Sequence, residues 1–157
     1  MRRKTLLALT LLSALASGPA PAGTSTATLT VRATVENGCT VAGDALDFGT
    51  YVSGQSRDAT GHAQLEIHNC NGMQVTISVS GGNSGNPSGR YMTSSAGDQL
   101  NYQIYKSPGK QDPWVDPMNT AISGDPGIVD IYGVIPAGQT VAPGVYEDTL
   151  TVTVNFR

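Results

Sequence analysis

Two runs of strict alternation bracket this chain, and they restrict its fold more than any other feature. Near the start, Ala27, Leu29, Val31, Ala33 and Val35 alternate with Thr28, Thr30, Arg32 and Thr34. At the end, Leu150, Val152, Val154 and Phe156 alternate with Thr149, Thr151, Thr153 and Asn155. A period of two is that of a strand with one face buried. Neither run carries a charge on its apolar face. Natural sheet edges usually carry a charge, a proline or a bulge that discourages pairing. Both faces therefore read as made for pairing, and a self-contained domain has no need of two such strands at opposite ends.

The residues before the first run read as an export signal. Arg2, Arg3 and Lys4 precede the apolar stretch "TLLALTLLSALA", and "APA" at 20–22 has the small-x-small form of a cleavage site. Cleavage is expected after Ala22, with Ala16 the weaker choice, so residues 1–22 are removed. The apolar stretch is short for a membrane span and is soon followed by proline and glycine. The whole chain carries nine basic and twelve acidic residues. Three of the basic ones belong to the leader, which leaves six against twelve and a net charge near −6. An acidic, sparsely charged chain is a poor partner for nucleic acid or an anionic membrane. Cys39 and Cys70 are its two cysteines, and in an oxidising compartment they are expected to form one disulfide. Closing that loop stabilises the fold by about 4 kcal/mol on the chain-entropy model.

Between the two runs the sequence reads as all-β, with short alternating stretches punctuated by turn residues and hardly a helical signal. A short strand is expected in 46–55, "LDFGTYVSGQ", leading into a turn. Residues 62–70 turn Ala63, Leu65 and Ile67 inward, and Asn71-Gly72 signals a hairpin into 73–80. There Val75, Ile77 and Val79 point inward. A polar loop, 81–98, has a short strand around Arg90–Met92. Residues 99–107 form a strand with Leu100, Tyr102 and Ile104 on one face. The loop 108–127 holds Trp114, expected to cap the core, and 128–138 is a further strand. The sequence shows no internal repeat, and one domain with one core accounts for its length.

Few residues look chemical. His62 and His68 lie off the inward parity of their strand and are expected to face solvent. Asp112, Asp116 and Asp125 share a loop, where turn-forming beside Pro113, Pro117 and Pro126 is the better reading than a Ca²⁺ site. No zinc spacing, EF-hand loop, nucleophile elbow or phosphate-binding glycine loop is present. No enzyme activity, metal or cofactor is expected.

The stretches "CTV", "LDFGTY", "RYM", "LNYQIY", the loop tryptophan and "IYGVIPAGQTVAPGVYEDTLTVTVNF" resemble the spore coat protein U domain family. Its members include the major subunits of archaic chaperone–usher pili. The chain departs from the family at Val115, which separates Trp114 from Asp116, and at Ala33, which is small for its place. The resemblance implies an incomplete immunoglobulin-like β-sandwich that lacks its last strand. Residues 23–35 would be a donor strand, with Ala27, Leu29, Val31, Ala33 and Val35 entering a neighbouring subunit. Residues 36–157 would be the domain, with Leu150, Val152, Val154 and Phe156 on the strand beside the acceptor groove. Implied partners are other pilin subunits, a periplasmic chaperone and an outer-membrane usher. The implied destination is an extracellular pilus or cell surface, with a role in attachment and biofilm. A spore or cell-surface coat protein of the same fold is one alternative. A pilus-tip adhesin, binding through loops 81–98 and 108–127, is the other.

Overall fold

The computed structural model of the chain describes residues 28–33 and 38–157. The expected leader (1–22) lies outside the described residues, as do Ala27 and Val35 of the first alternating run. Residues 28–33 and the domain that follows belong to separate compact units. Within 28–33 no strand forms and every residue is exposed.

The described residues of the domain form ten strands: β1 (Thr40–Gly43), β2 (Ala59–His68), β3 (Gln74–Val79), β4 (Tyr91–Ser94), β5 (Gln99–Asn101), β6 (Gln103–Tyr105), β7 (Met118–Ala121), β8 (Gly127–Ile135), β9 (Tyr146–Glu147) and β10 (Val152–Phe156). Its only helical element among the described residues is a 3-10 turn, Gly82–Ser84. One sheet has the order β1-β2-β8-β6, a second β10-β3-β7 and a third β5-β4-β9. All pairs are antiparallel. Inward residues of β2, β3, β6 and β8 meet in one hydrophobic core, which Trp114 completes as expected of a cap. Cys39 and Cys70 form the disulfide, with Cα atoms 5.2 Å apart.

Side-chain parity follows the sequence, but ladder partners often do not. The expected hairpin at Asn71-Gly72 is absent, because β2 pairs with β1 and β8 while β3 pairs with β10 and β7. Asn69, at φ 58°, ends β2 and turns the next residue, so Cys70 is fully buried despite its outward parity. The turn is then tied elsewhere: Gly72 N–H donates to Ile122 O, and Ile122 N–H donates to Met73 O, each at 2.9 Å. The chain thus crosses from one sheet to the other.

Residues 46–55 form no strand. Asp47 accepts a hydrogen bond from Gly49 N–H at 2.7 Å, and Gly49 adopts φ 64°, so a side-chain turn replaces the ladder. Leu46 and Phe48 still pack on the core. They lie over Gly61 and Gly133, which face each other across β2 and β8. A Cβ on Gly133 would stand 2.7 Å from the Phe48 ring, and one on Gly61 2.7 Å from Asp47 O. Those two glycines leave the floor on which the segment rests.

The expected strand 99–107 divides at Tyr102, whose N–H donates to Arg90 O, so that β5 joins β4 and β6 joins β8. Leu100, Tyr102 and Ile104 nevertheless stay buried. The loop 108–127 contains β7, which pairs with β3. The last run is also interrupted, between β9 and β10. There the Asp148 carboxylate accepts bonds from Asn83 N–H (2.6 Å), Thr149 N–H (2.7 Å) and the Tyr102 hydroxyl (2.7 Å). These local bonds take the place of ladder bonds.

Candidate functional site

The site is a groove, and it follows from two unfilled sheet edges. β1 ends the first sheet and β10 ends the second. Each has one neighbour, so its outer N–H and C=O groups face no strand among the described residues. Along the final run the burial alternates without a break from 146 to 155: even residues half-buried, odd ones exposed. Leu150, Val152 and Val154 therefore aim at the core without being covered, and Phe156 is 40% exposed. The expected alternation holds for Leu150, Val152 and Val154 but fails at Phe156, which is exposed like its neighbours, and Leu150 lies outside β10.

Between these edges runs a groove of about 870 Å³. Val41, Gly43, Leu46 and Phe48 form one wall, and Tyr146, Leu150 and Val152 the other. Its floor is the core itself, with Ala63, Leu65, Val79, Tyr102 and Ile131. A second hollow, of about 500 Å³, continues it past Leu46, Phe48, Met92 and Tyr146 towards Tyr51 and Val141. A channel with an apolar floor, flanked by strand edges, is fitted to take an extended peptide: the edge supplies main-chain bonds and the floor takes alternate side chains.

Beneath the groove lies a buried polar group whose role sequence reasoning missed. Arg90 is completely buried. Its guanidinium donates to the carbonyls of Val79, Ser80, Pro87 and Trp114, and to Gln103 Oε1, at 2.7–3.0 Å. Burial lowers its pKa from the ordinary value, opposed by the nearby Tyr102 and Asp148. Its bonds fix the end of β3 beneath the groove and anchor the loop of Trp114. Tyr102 sits in the floor with its hydroxyl on Asp148, and burial, then that carboxylate, raises its pKa far above the usual phenol range. The signal for Arg90 was a lone base beside an aromatic strand, which is weak because its partners are nearly all main-chain oxygens.

The other candidates lie apart from this groove. His62 bonds Asp130 at 2.9 Å on the outer face, and His68 stands near Glu66 and Asp125. Asp112 pairs with Lys106, while Asp125 accepts from Asn69 N–H, so the loop acids do not converge on one centre. Among the described residues no group of three potential metal ligands occurs.

Residues 25–153 match the spore coat protein U domain. The chain belongs to that family. The chain is also similar to Protein U of Myxococcus xanthus, at 29% identity over 92% of each chain. In three dimensions, the protein is similar to one chain of the crystal structure of the CsuC–CsuE chaperone–tip adhesion subunit pre-assembly complex from the archaic chaperone-usher Csu pili of Acinetobacter baumannii. That match has a TM-score of 0.51 at 22% identity, covering 75% of this chain and 39% of the other. The fold is thus all-β and immunoglobulin-like, with open sheets, as in chaperone–usher pilus subunits.

Proposed function

We propose that this spore coat U domain protein is a structural subunit of a chaperone–usher surface fibre, polymerised non-covalently by donor-strand exchange. The observation that carries the reading is the open, apolar groove beside the unpaired edge of β10. The complementary piece is present in the same chain, since Leu29 and Val31 are each 86% exposed on an alternating segment. Residues 23–35 of one subunit would enter the groove in the domain 36–157 of the next, after removal of residues 1–22. Leu29, Val31 and Val35 would then bury apolar surface worth about 5–9 kcal/mol gross. Each new main-chain hydrogen bond adds roughly 0.5–1.5 kcal/mol. Head-to-tail insertion does not close on itself and so builds a filament.

In this reading a periplasmic chaperone occupies the groove before assembly, an usher passes the subunit outward, and the fibre serves attachment and biofilm at the cell surface. No catalysis is required of any residue. A coat protein that uses the same joint is the second reading, favoured by the match to Protein U over nearly its whole length. Electron microscopy of the assembled material separates the two, as discrete fibres or as a continuous layer.

Deleting residues 23–36 tests the joint. The truncated protein should still bind its chaperone yet fail to join the subunit beyond it. Polymerisation equal to that of the intact chain would overturn the proposal. Leu29→Asp or Val31→Asp should likewise stop assembly and leave the domain folded.

A further inference from the structure

The groove carries a charge pattern as well as an apolar floor. The charged residues that line it are Asp44, Asp47, Glu147 and Asp148, all acidic. Asp148 is engaged by Tyr102, Asn83 and Thr149, and Asp47 by Gly49. The carboxylates of Asp44 and Glu147 are exposed and bond no side chain among the described residues. Glu147 lies in β9, before the interruption at Asp148, and just past the end of β10 stands a cation, Arg157. The acceptor edge therefore runs from negative at Glu147 to positive at Arg157.

The donor segment carries one charge between Thr24 and Val35, and it is Arg32. With Leu29 and Val31 turned to the floor, strand periodicity puts Arg32 on the outer face. Glu147 has that same outward parity along the acceptor run, where odd residues are exposed from 147 to 155. We propose that Glu147, on the acidic lining of the groove, recognises Arg32 of a second copy of this chain and sets the register of the inserted strand. This rests on the donor-strand reading and adds its specificity element.

The physical need is clear from the residues. Threonine at 28, 30 and 34 on the donor faces threonine at 149, 151 and 153 on the acceptor, so the outer faces match equally well in several registers. A shift by two residues keeps the apolar face inward, and only the quality of the pocket contacts opposes it. Arg32 breaks that degeneracy. A slip that carries Arg32 away from Glu147 towards Arg157 separates opposite charges and brings like ones closer. Charge complementarity of this kind governs encounter and register more than final affinity.

The test uses the full mature chain, with assembly followed by light scattering at low and high salt. Arg32→Glu should slow assembly about tenfold at low salt, and Arg32→Lys should leave it nearly unchanged. The charge swap Arg32→Glu with Glu147→Lys should restore most of the rate, a recovery that a merely structural role would not give. Raising the salt to about 1 M, where screening acts within about 3 Å, should erase the differences between variants. Normal assembly of Arg32→Glu, or no recovery in the swap, would overturn the proposal. Leu29→Asp is the control that separates the two readings. If it blocks assembly while Arg32→Glu does not, the donor strand stands and only the charge register falls. If it also assembles normally, the donor-strand reading falls too. A swap that changes the melting of the monomer but not the rate of assembly would assign the groove to the chain's own segment, which likewise overturns the proposal.

Discussion

β3 and β10 are neighbours in one sheet, carry nearly the same alternating pattern, and end in opposite states. On β3, Val75, Ile77 and Val79 are 2%, 0% and 6% exposed. Directly across from them, Phe156, Val154 and Val152 stay half-covered or open. Pattern alone does not distinguish the two strands. What differs is the neighbour on the far side: β3 has β7, whereas β10 has a groove. An alternating sequence fixes which face a side chain takes, and the topology decides whether that face is closed.

The comparison can be broken first from its closed side. Arg90→Met should have the largest effect, since it takes their donor from the carbonyls of Val79, Ser80 and Trp114, while Pro87 O keeps the amide of Gln103. Unsatisfied buried acceptors at roughly 1–3 kcal/mol each suggest a loss of about 5 kcal/mol in denaturant unfolding. Reducing the Cys39–Cys70 bond should cost about 4 kcal/mol, for a separation of 31 residues. An unchanged melting temperature after reduction would show that the core holds this end of the sandwich without it. Ile77→Ala should cost about 3 kcal/mol, whether or not the groove is filled.

Much of this was legible in the sequence, for a definite reason. Parity is a local property, so the inward sets of β2 and β3 were readable from alternation, as were Leu100, Tyr102 and Ile104. The disulfide was readable because a chain whose start reads as an export signal and which holds two cysteines has one pairing open to it. Partnership is not local. Asn71-Gly72 suits a hairpin and a crossing between sheets equally, and the bonds to Ile122 that select the crossing come from 50 residues away. β7 was hidden because its "MNTA" has no fully buried residue to mark it. The groove was half-legible: the apolar face of β10 showed, but its opposite wall depends on Leu46 and Phe48 resting on paired Gly61 and Gly133. No periodicity announces that pair of glycines.

The sharpest use of the comparison is also the smallest effect on the lone subunit. Val154 lies across from Ile77 in the β3–β10 register, so the two positions differ chiefly in what covers them. In the lone chain Val154→Ala should cost about 1 kcal/mol, because a half-exposed valine has much of its surface in water already. A donor strand that continued past the groove, whose β10 lining stops at Val152, and paired along β10 would cover Val154, and the same change should then cost about 2 kcal/mol. The measurement is chemical unfolding of the lone subunit against that of the assembled form, for wild type and variant. A penalty that roughly doubles on assembly would mean that the partner completes this part of the core. An equal penalty in both states would mean that β10 is already as closed as β3, and the contrast between the two strands would vanish.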